Sequence, residues 1–297
     1  MKEPLLSIVT ITYNHEPFIA KTIEGVLMQQ VNFPIEFIIA EDCSTDKTRE
    51  IVLSYAEKYP DLIKIIISDK NIGSTANERR AMQAAKGKYI AFCEGDDYWI
   101  DPLKLQKQVD FLESHLDYSV TFHRCVHFDV ETGIEKEDAC GNLFEKKNIK
   151  GIEVTTEMFF SKWITQPLTM VYRNEAFDLD TALQYKYYRD MHLIYHLLQA
   201  GKGYLFGFVG GVYQNHNDSA HAKRSLHYQV AIALLVTKEL YKQNKNELTK
   251  RNYLRTLDWA ISCYKQNKWS ETEKMNYIFE CLFLSYNVKK TIKHILK

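Results

Sequence analysis

The chain lacks a net charge: 38 lysines and arginines stand against 38 aspartates and glutamates in 297 residues. That balance excludes a strongly basic nucleic-acid binder and an acidic disordered chain. Glycine (12) and proline (6) are scarce, which excludes collagen-like and low-complexity architectures. No apolar run approaches the roughly 18–20 residues of a membrane span, and the longest in the C-terminal part covers 230–236. No leader pattern opens the sequence, because Leu5-Leu6-Ser7-Ile8-Val9 reads as a strand almost at once. The six cysteines form no C-x-x-C pair and are thinly spread. Reduced thiols are expected, in a cytoplasmic protein that is soluble or peripheral on the inner face of the membrane. Neither G-x-G-x-x-G nor a P-loop occurs, so dinucleotide-binding and P-loop readings lose their main support.

What is present is a core former, with 45% hydrophobic and 13% aromatic residues. The zero charge also hides an asymmetry. Residues 221–297 hold 15 of the basic residues and 6 of the acidic ones, which leaves 23 against 32 in residues 1–220. The sequence thus joins an acidic body to a basic tail.

The first half alternates short apolar runs with helical patterns. Strands are expected at 6–12, 35–40, 63–67 and 89–93. Ile19, Ile23, Val26 and Leu27 repeat at helical spacing. A second helix spans 48–59, capped from the Ser44-Thr45-Asp46 run, and a third spans 75–86, ended by Gly87. Asp101-Pro102 opens a fourth, with Leu105, Val109, Leu112 and Leu116 on its inner face. Such alternation builds βαβ units around a mainly parallel sheet with functional loops at the strand C-termini. Beyond it, strands are expected at 119–122, 168–172 and 204–208, a helix at 190–200 stopped by Gly201, and an exposed excursion at 131–151. From 225 onward everything is compatible with helix. The expected division is 1–222 and 223–297.

Polar residues gather at the strand ends. Glu94-x-Asp96-Asp97 closes the fourth strand, and adjacent carboxylates there suit Mg²⁺ or Mn²⁺ bridging to a phosphate. A solvated acidic turn is the plain alternative. Asp42 follows the second strand, where an acid can hold a ribose or base, or simply help to cap a helix. His192 and His196 have i,i+4 spacing, but no H-E-x-x-H and no third ligand accompany them. His123 and His127 read the same way. Trp163, Gln166 and the tyrosines of 185–188 offer stacking faces for a sugar, or core packing.

Taken in order, Thr10-Ile11-Thr12-Tyr13-Asn14, Glu41-Asp42-Cys43-Ser44-Thr45-Asp46, Asn71-Ile72-Gly73, Gly87-Lys88-Tyr89-Ile90-Ala91 and Glu94-Gly95-Asp96-Asp97 resemble family 2 glycosyltransferases of the GT-A fold. The resemblance covers about the first 105 residues and extends more weakly through Asp190 and His216 to about 222. It implies an α/β, Rossmann-like catalytic domain with helices on both faces of the sheet, plus a C-terminal helical extension. It implies inverting transfer from a nucleotide-sugar, UDP-linked, to a glycan or lipid-linked acceptor. By position in its motifs, Thr12, Tyr13, Asn14, Glu16, Asp42, Asn71 and Asp96 map to donor nucleotide contacts. Asp97, with Asp96 and His216, maps to the Mn²⁺ or Mg²⁺ site. Asp190 maps to the general base.

Two departures stand out. Asn77-Glu78-Arg79 replaces the common Ala-Arg-Asn, and the acidic cluster opens with Glu94 in place of Asp; near the general base, Arg189 also replaces the first acid of the pair ending in Asp190. The alternatives are a sugar-phosphate nucleotidyltransferase, which would want a Gly-rich basic loop where Thr12-Tyr13-Asn14-His15-Glu16 stands, and a binding protein without turnover. Lys289, Lys290, Lys293 and Lys297 interleave with Ile292, Ile295 and Leu296. They form either a membrane-facing amphipathic helix or a helix packed on the acidic body.

Overall fold

The computed structural model describes residues 3–141, 144, 149–161, 164–217 and 226–266. Among them the chain forms two compact units. Met1–Gln184 with Tyr188–Lys223 make the first, and Tyr185–Tyr187 with Arg224–Lys297 make the second.

The first unit begins with β1 (Leu6–Thr12), α1 (Ile19–Leu27), β2 (Ile35–Glu41), α2 (Thr48–Lys58), β3 (Ile63–Ile67), α3 (Ser74–Ala84) and β4 (Tyr89–Phe92). It continues through β5 (Tyr98–Trp99), α4 (Lys104–Ser114), β6 (Tyr118–Asp129), β7 (Ile134–Glu137), β8 (Gly151–Val154), α5 (Thr156–Ser161) and β9 (Val171–Arg173). It closes with α6 (Leu179–Ala182), α7 (Asp190–Ala200) and β10 (Lys202–Asn215). All ten strands join one sheet in the order β3-β2-β1-β4-β9-β6-β10-β5, with β7 on β6 and β8 on β10.

Strands β3, β2, β1 and β4 are parallel, and β9 runs against both β4 and β6. Because β10 is parallel to β6, six strands point one way and end on one edge. The chain steps outward from β1 to β3 and then returns to place β4 on the other side of β1. Right-handed crossovers of that order put α1 and α2 on one face and α3 on the other. The order reverses between β1 and β4, the point at which open α/β sheets bind ligands in the crevice outside the strand C-termini.

Burial on both faces explains the near-continuous apolar strands. Leu6, Ile8 and Val9 of β1 and Phe37, Ile38 and Ile39 of β2 are fully buried. Ile19, Ile23 and Val26 of α1 and Leu105, Val109 and Leu112 of α4 join the same core at helical spacing.

Several elements depart from the sequence expectations: β6 covers Tyr118–Asp129 in place of 119–122, and Leu116 lies past the end of α4, 78% exposed. Helix α3 stops at Ala84, before Gly87, because the N–H groups of Lys86 and Gly87 turn to Ser7 Oγ (3.1 and 2.8 Å) at the base of β1. Helix α4 starts at Lys104, and Asp101 Oδ1 accepts the Leu103 N–H at 2.9 Å. The 168–172 strand shortens to Val171–Arg173, since Pro167–Thr169 forms a 3₁₀ turn. Strand β10 is fourteen residues long, far beyond 204–208, and passes over bulges near Leu205, Val209 and Gly211. In the 131–151 excursion β7 is exposed, yet Cys140 and Phe144 are buried and Arg124 Nε reaches Asp138 Oδ1 at 3.2 Å.

The second unit contains α8 (Leu226–Gln243) and α9 (Glu247–Gln266). Val230 packs with Leu257, Ala260, Ile261 and Cys263. Glu239 Oε2 accepts the Tyr187 N–H at 2.9 Å, and Asn244 Nδ2 donates to the Tyr185 hydroxyl at 2.8 Å. No described helix is long and apolar enough to cross a membrane. Cys43, Cys93 and Cys125 are free thiols. Trp163 and the terminal lysines 289, 290, 293 and 297 lie outside the described residues.

Candidate active site

The parallel register fixes which residues meet at the crevice. Thr12 pairs with Glu41, so β1 and β2 end level. Strand β4 stops three residues short of that line, since Val9 pairs with Phe92. The chain keeps to β1, with Cys93 N–H donating to Val9 O (3.1 Å) and Gly95 N–H to Ile11 O (3.0 Å). The acidic turn therefore arrives beside Thr12. Gly95 has to be glycine: a Cβ there would lie 2.7 Å from both Thr12 Oγ1 and His15 Nδ1.

Glu94, Asp96 and Asp97 offer carboxylate oxygens within 4.8 Å of one another. The Asp97 N–H donates to Glu94 O at 3.0 Å and tightens the turn. Strand β5 then pairs Tyr98 with Val212 and Trp99 with Gly211, which lays the turn against the end of β10. There Asp97, 1% exposed, accepts the Gln214 N–H on Oδ1 at 2.9 Å, while its buried Oδ2 has no partner. His216 Nε2 lies 3.1 Å from Asp96 Oδ2, and His15 Nε2 lies 3.8 Å from the same oxygen. His216 therefore reaches the acidic group through Asp96.

The three acids differ in proton affinity. Burial pushes Asp97 well above the usual carboxylate range, and the Asp96 charge adds to it. Burial likewise raises Glu94, helped by Asp96, Asp190 and Asp97. Burial acts upward on Asp96 too, but His15 and His216 win and hold it below its ordinary value. Burial lowers His15 against the pull of Asp96. An orphaned buried oxygen on Asp97 and a crowded set of hard oxygen donors fit Mn²⁺ or Mg²⁺.

The loops after β1 and β2 are stapled to each other. Asn14 and Cys43 adopt positive φ (54° and 61°). Asn14 N–H donates to Ser44 Oγ (3.0 Å), and Asn14 Oδ1 accepts the Thr45 N–H (2.8 Å). Glu16 N–H donates to Asp46 Oδ2 (3.0 Å), and Glu16 Oε2 accepts the Lys47 N–H (3.1 Å). Asp46 Oδ1 also accepts the N–H of Thr48, the first residue of α2, at 2.9 Å, while the cap position itself is Lys47. Asn14 and Glu16 thus shape the loops, whereas Tyr13 is 39% exposed beside them. Asp42 is buried, and its two oxygens accept the N–H groups of Ile72 (3.0 Å) and Gly73 (2.9 Å). Asn71 Oδ1 accepts the same Gly73 N–H at 3.0 Å. Asp42 therefore locks the loop after β3 into place, with Gly73 at φ 87°.

Asp190 is the first residue of α7 rather than its cap. The capping acceptor is His192 Nδ1, which takes the Arg189 N–H at 3.1 Å. That gives His192 a structural task in place of zinc ligation. Asp190 lies close enough to raise the proton affinity of both Glu94 and Glu78. Glu78, on α3, is pushed up to about 8 by burial and by Asp190, against the opposing charge of Arg189. The structure thus assembles Asp190 with the acidic turn, and adds Glu78 at the position where the sequence departs from the common motif. Gln214, His15 and Thr22 also belong to the site's frame. Their partners are distant in sequence, so only the fold exposes them.

The chain matches the sequence profile of Glycosyl transferase family 2 over residues 7–178, more than half of its length, and it belongs to that family. The uncharacterized protein Rv1520 of Mycobacterium tuberculosis is 49% identical over 118 residues, 40% of this chain and 34% of that protein. The putative teichuronic acid biosynthesis glycosyltransferase TuaG of Bacillus subtilis is 38% identical over 110 residues, 37% of this chain and 42% of TuaG. The UDP-Glc:alpha-D-GlcNAc-diphosphoundecaprenol beta-1,3-glucosyltransferase WfaP of Escherichia coli is 38% identical over 111 residues, 37% of this chain and 42% of WfaP. The matches to these three span less than half of the relatives' own length. Residues 1–349 of S. aureus TarS, in complex with UDP-GlcNAc, superpose with a TM-score of 0.68 at 19% identity, covering 92% of this chain and 78% of that one. The mannosyltransferase PcManGT from Pyrobaculum calidifontis, in complex with GDP-Man and Mn2+, superposes with a TM-score of 0.55 at 16% identity, covering 99% and 85%. The fold is GT-A, with C-terminal helices in addition.

Proposed function

We propose that the chain moves a sugar from a nucleotide-diphosphate sugar, UDP-linked, to a hydroxyl of a glycan or lipid-linked acceptor, inverting the anomeric centre. The observation that carries this reading is the approach of Asp190 to Glu94, in the turn that also holds Asp96 and Asp97 at the strand reversal. The UDP-Glc in the name of WfaP and the UDP-GlcNAc in the TarS complex support the donor class.

Asp190 accepts the proton of the acceptor hydroxyl as its oxygen attacks the anomeric carbon. The new C–O bond forms on the face opposite the breaking bond to the diphosphate, and UDP departs with that electron pair. One displacement inverts the centre, so neither a serine nor a cysteine nucleophile is required. Thr12, Tyr13 and Asp96 hold the nucleotide on loops whose shape Asn14, Glu16, Asp42 and Asn71 fix. Asp97 and Glu94, with Asp96 beside them and His216 behind, would hold Mn²⁺ or Mg²⁺, which supplies positive charge against the leaving diphosphate. The lysine and arginine surplus of residues 221–297 suits an anionic membrane surface, where a lipid-linked acceptor resides.

Asp190→Asn tests the assignment. UDP affinity is expected to stay within about twofold of wild type, while turnover falls by about 10²–10⁴. Wild-type turnover in that variant would place the base elsewhere.

A further inference from the structure

The acidic turn poses a mechanical problem. Three carboxyl groups within 4.8 Å repel whenever they ionise, and a short turn should open to relieve that. Something outside the turn must keep it closed.

Every peptide carbonyl of the turn is tied down. Glu94 O is held by the Asp97 N–H at 3.0 Å. The Thr22 hydroxyl, on α1, shares its one proton between Asp97 O (2.7 Å) and Gly95 O (3.0 Å). Gln214 Nε2, on β10, donates to Asp96 O. A helical threonine ordinarily turns its hydroxyl to the carbonyl four residues back. In Thr22 that contact is stretched to 3.5 Å, to Phe18 O, and the hydroxyl is given over to the turn. Gln214 acts a second time through its backbone, whose N–H takes Asp97 Oδ1 and leaves Oδ2 as the one unpartnered oxygen of that carboxylate. Thr22 is 0% exposed and Gln214 7%, so both act through the turn.

We propose that Thr22 and Gln214 are positioning residues that pre-organise the acidic turn for a divalent cation. With the carbonyls drawn inward to α1 and β10, the turn presents side-chain oxygens alone. One helix and one strand, 73 and 118 residues away from their partners in sequence, set the carboxylate spacing before any ligand arrives. This rests on the proposed metal role of the turn.

The test uses Mn²⁺ alone on the full chain, with bound and free ion distinguished by electron paramagnetic resonance and folding checked by melting. Thr22→Val and Gln214→Met keep shape but remove the donors, and each is expected to weaken Mn²⁺ binding by about 10- to 100-fold and to broaden the bound-ion spectrum. Thr22→Ser keeps the hydroxyl and is expected within about twofold of wild type. Wild-type affinity in folded Thr22→Val and Gln214→Met would overturn the inference. So would an equal loss in Thr22→Ser, which would make the role one of packing. Should Thr22→Val fail to fold, Gln214→Met decides. A wild-type chain that binds no Mn²⁺ would instead overturn the metal assignment itself.

Discussion

Asp96 and Asp97 are neighbours in sequence but not in chemistry. The two histidines beside Asp96 lower its proton affinity, while burial raises that of the deeper Asp97. Asp97→Asn is therefore expected to abolish Mn²⁺ binding without loss of fold, measurable by calorimetry together with a melting curve. Glu78 gives a pH signature. Its folded value of about 8 exceeds the ordinary 4.5, so the native state holds an extra proton between those limits. Its stabilising contribution is complete below about 4.5 and is lost as pH rises through about 8. In EDTA the melting temperature is expected to fall across that window, and Glu78→Gln is expected to flatten the fall. An unchanged slope in the variant would remove Glu78 from this role. The acids of the site were legible in the sequence because they stand at strand ends in a recurring order. Thr22 and Gln214 were not, because a threonine inside a helix and a glutamine inside a strand look ordinary until their carbonyl partners are in place. His192 has the spacing of half a metal pair but no third ligand in the sequence, and in the structure its ring nitrogen caps α7.

At the scale of elements, β1, β2 and β4 were readable because burial on both faces makes each a short, nearly pure apolar run, and the partly exposed edge strand β3 because four of its five residues are isoleucine. Strand β10 was not, since Gly207, Gly210 and Gly211 interrupt its pattern and the bulges shift its register. Those features carry β10 far enough to deliver Gln214 and His216 to the acidic turn. Helix α3 stops short of its sequence pattern for a local reason. Its Ala-rich end suits a helix, but Ser7 and Glu36 compete for the N–H of Lys86 at 3.1 and 2.8 Å. Gly95 is the tightest joint between β4 and the β1 loop. Gly95→Ala is expected to destabilise the fold by about 1–3 kcal/mol, since its Cβ would meet Thr12 and His15 at 2.7 Å. Urea unfolding measures this, and a wild-type midpoint would show that the loop yields freely.

For the whole molecule, the even charge count conceals an acidic body and a basic tail. Four of the acids, Glu94, Asp96, Asp97 and Asp190, converge at one strand reversal of a GT-A sheet. An anionic diphosphate approaching them meets repulsion until positive charge is supplied, which couples cation and nucleotide binding. Proton release from Glu94 and Asp97 should make that coupling stronger as pH rises. The most direct measurement is calorimetric titration of the full chain with UDP, in Mn²⁺ and in EDTA at equal ionic strength. UDP is expected to bind at least about tenfold more tightly with Mn²⁺, and the gain is expected to vanish in Asp97→Asn. Equal UDP affinity in Mn²⁺ and EDTA, or no UDP binding in either, would contradict a metal-assisted nucleotide-sugar site.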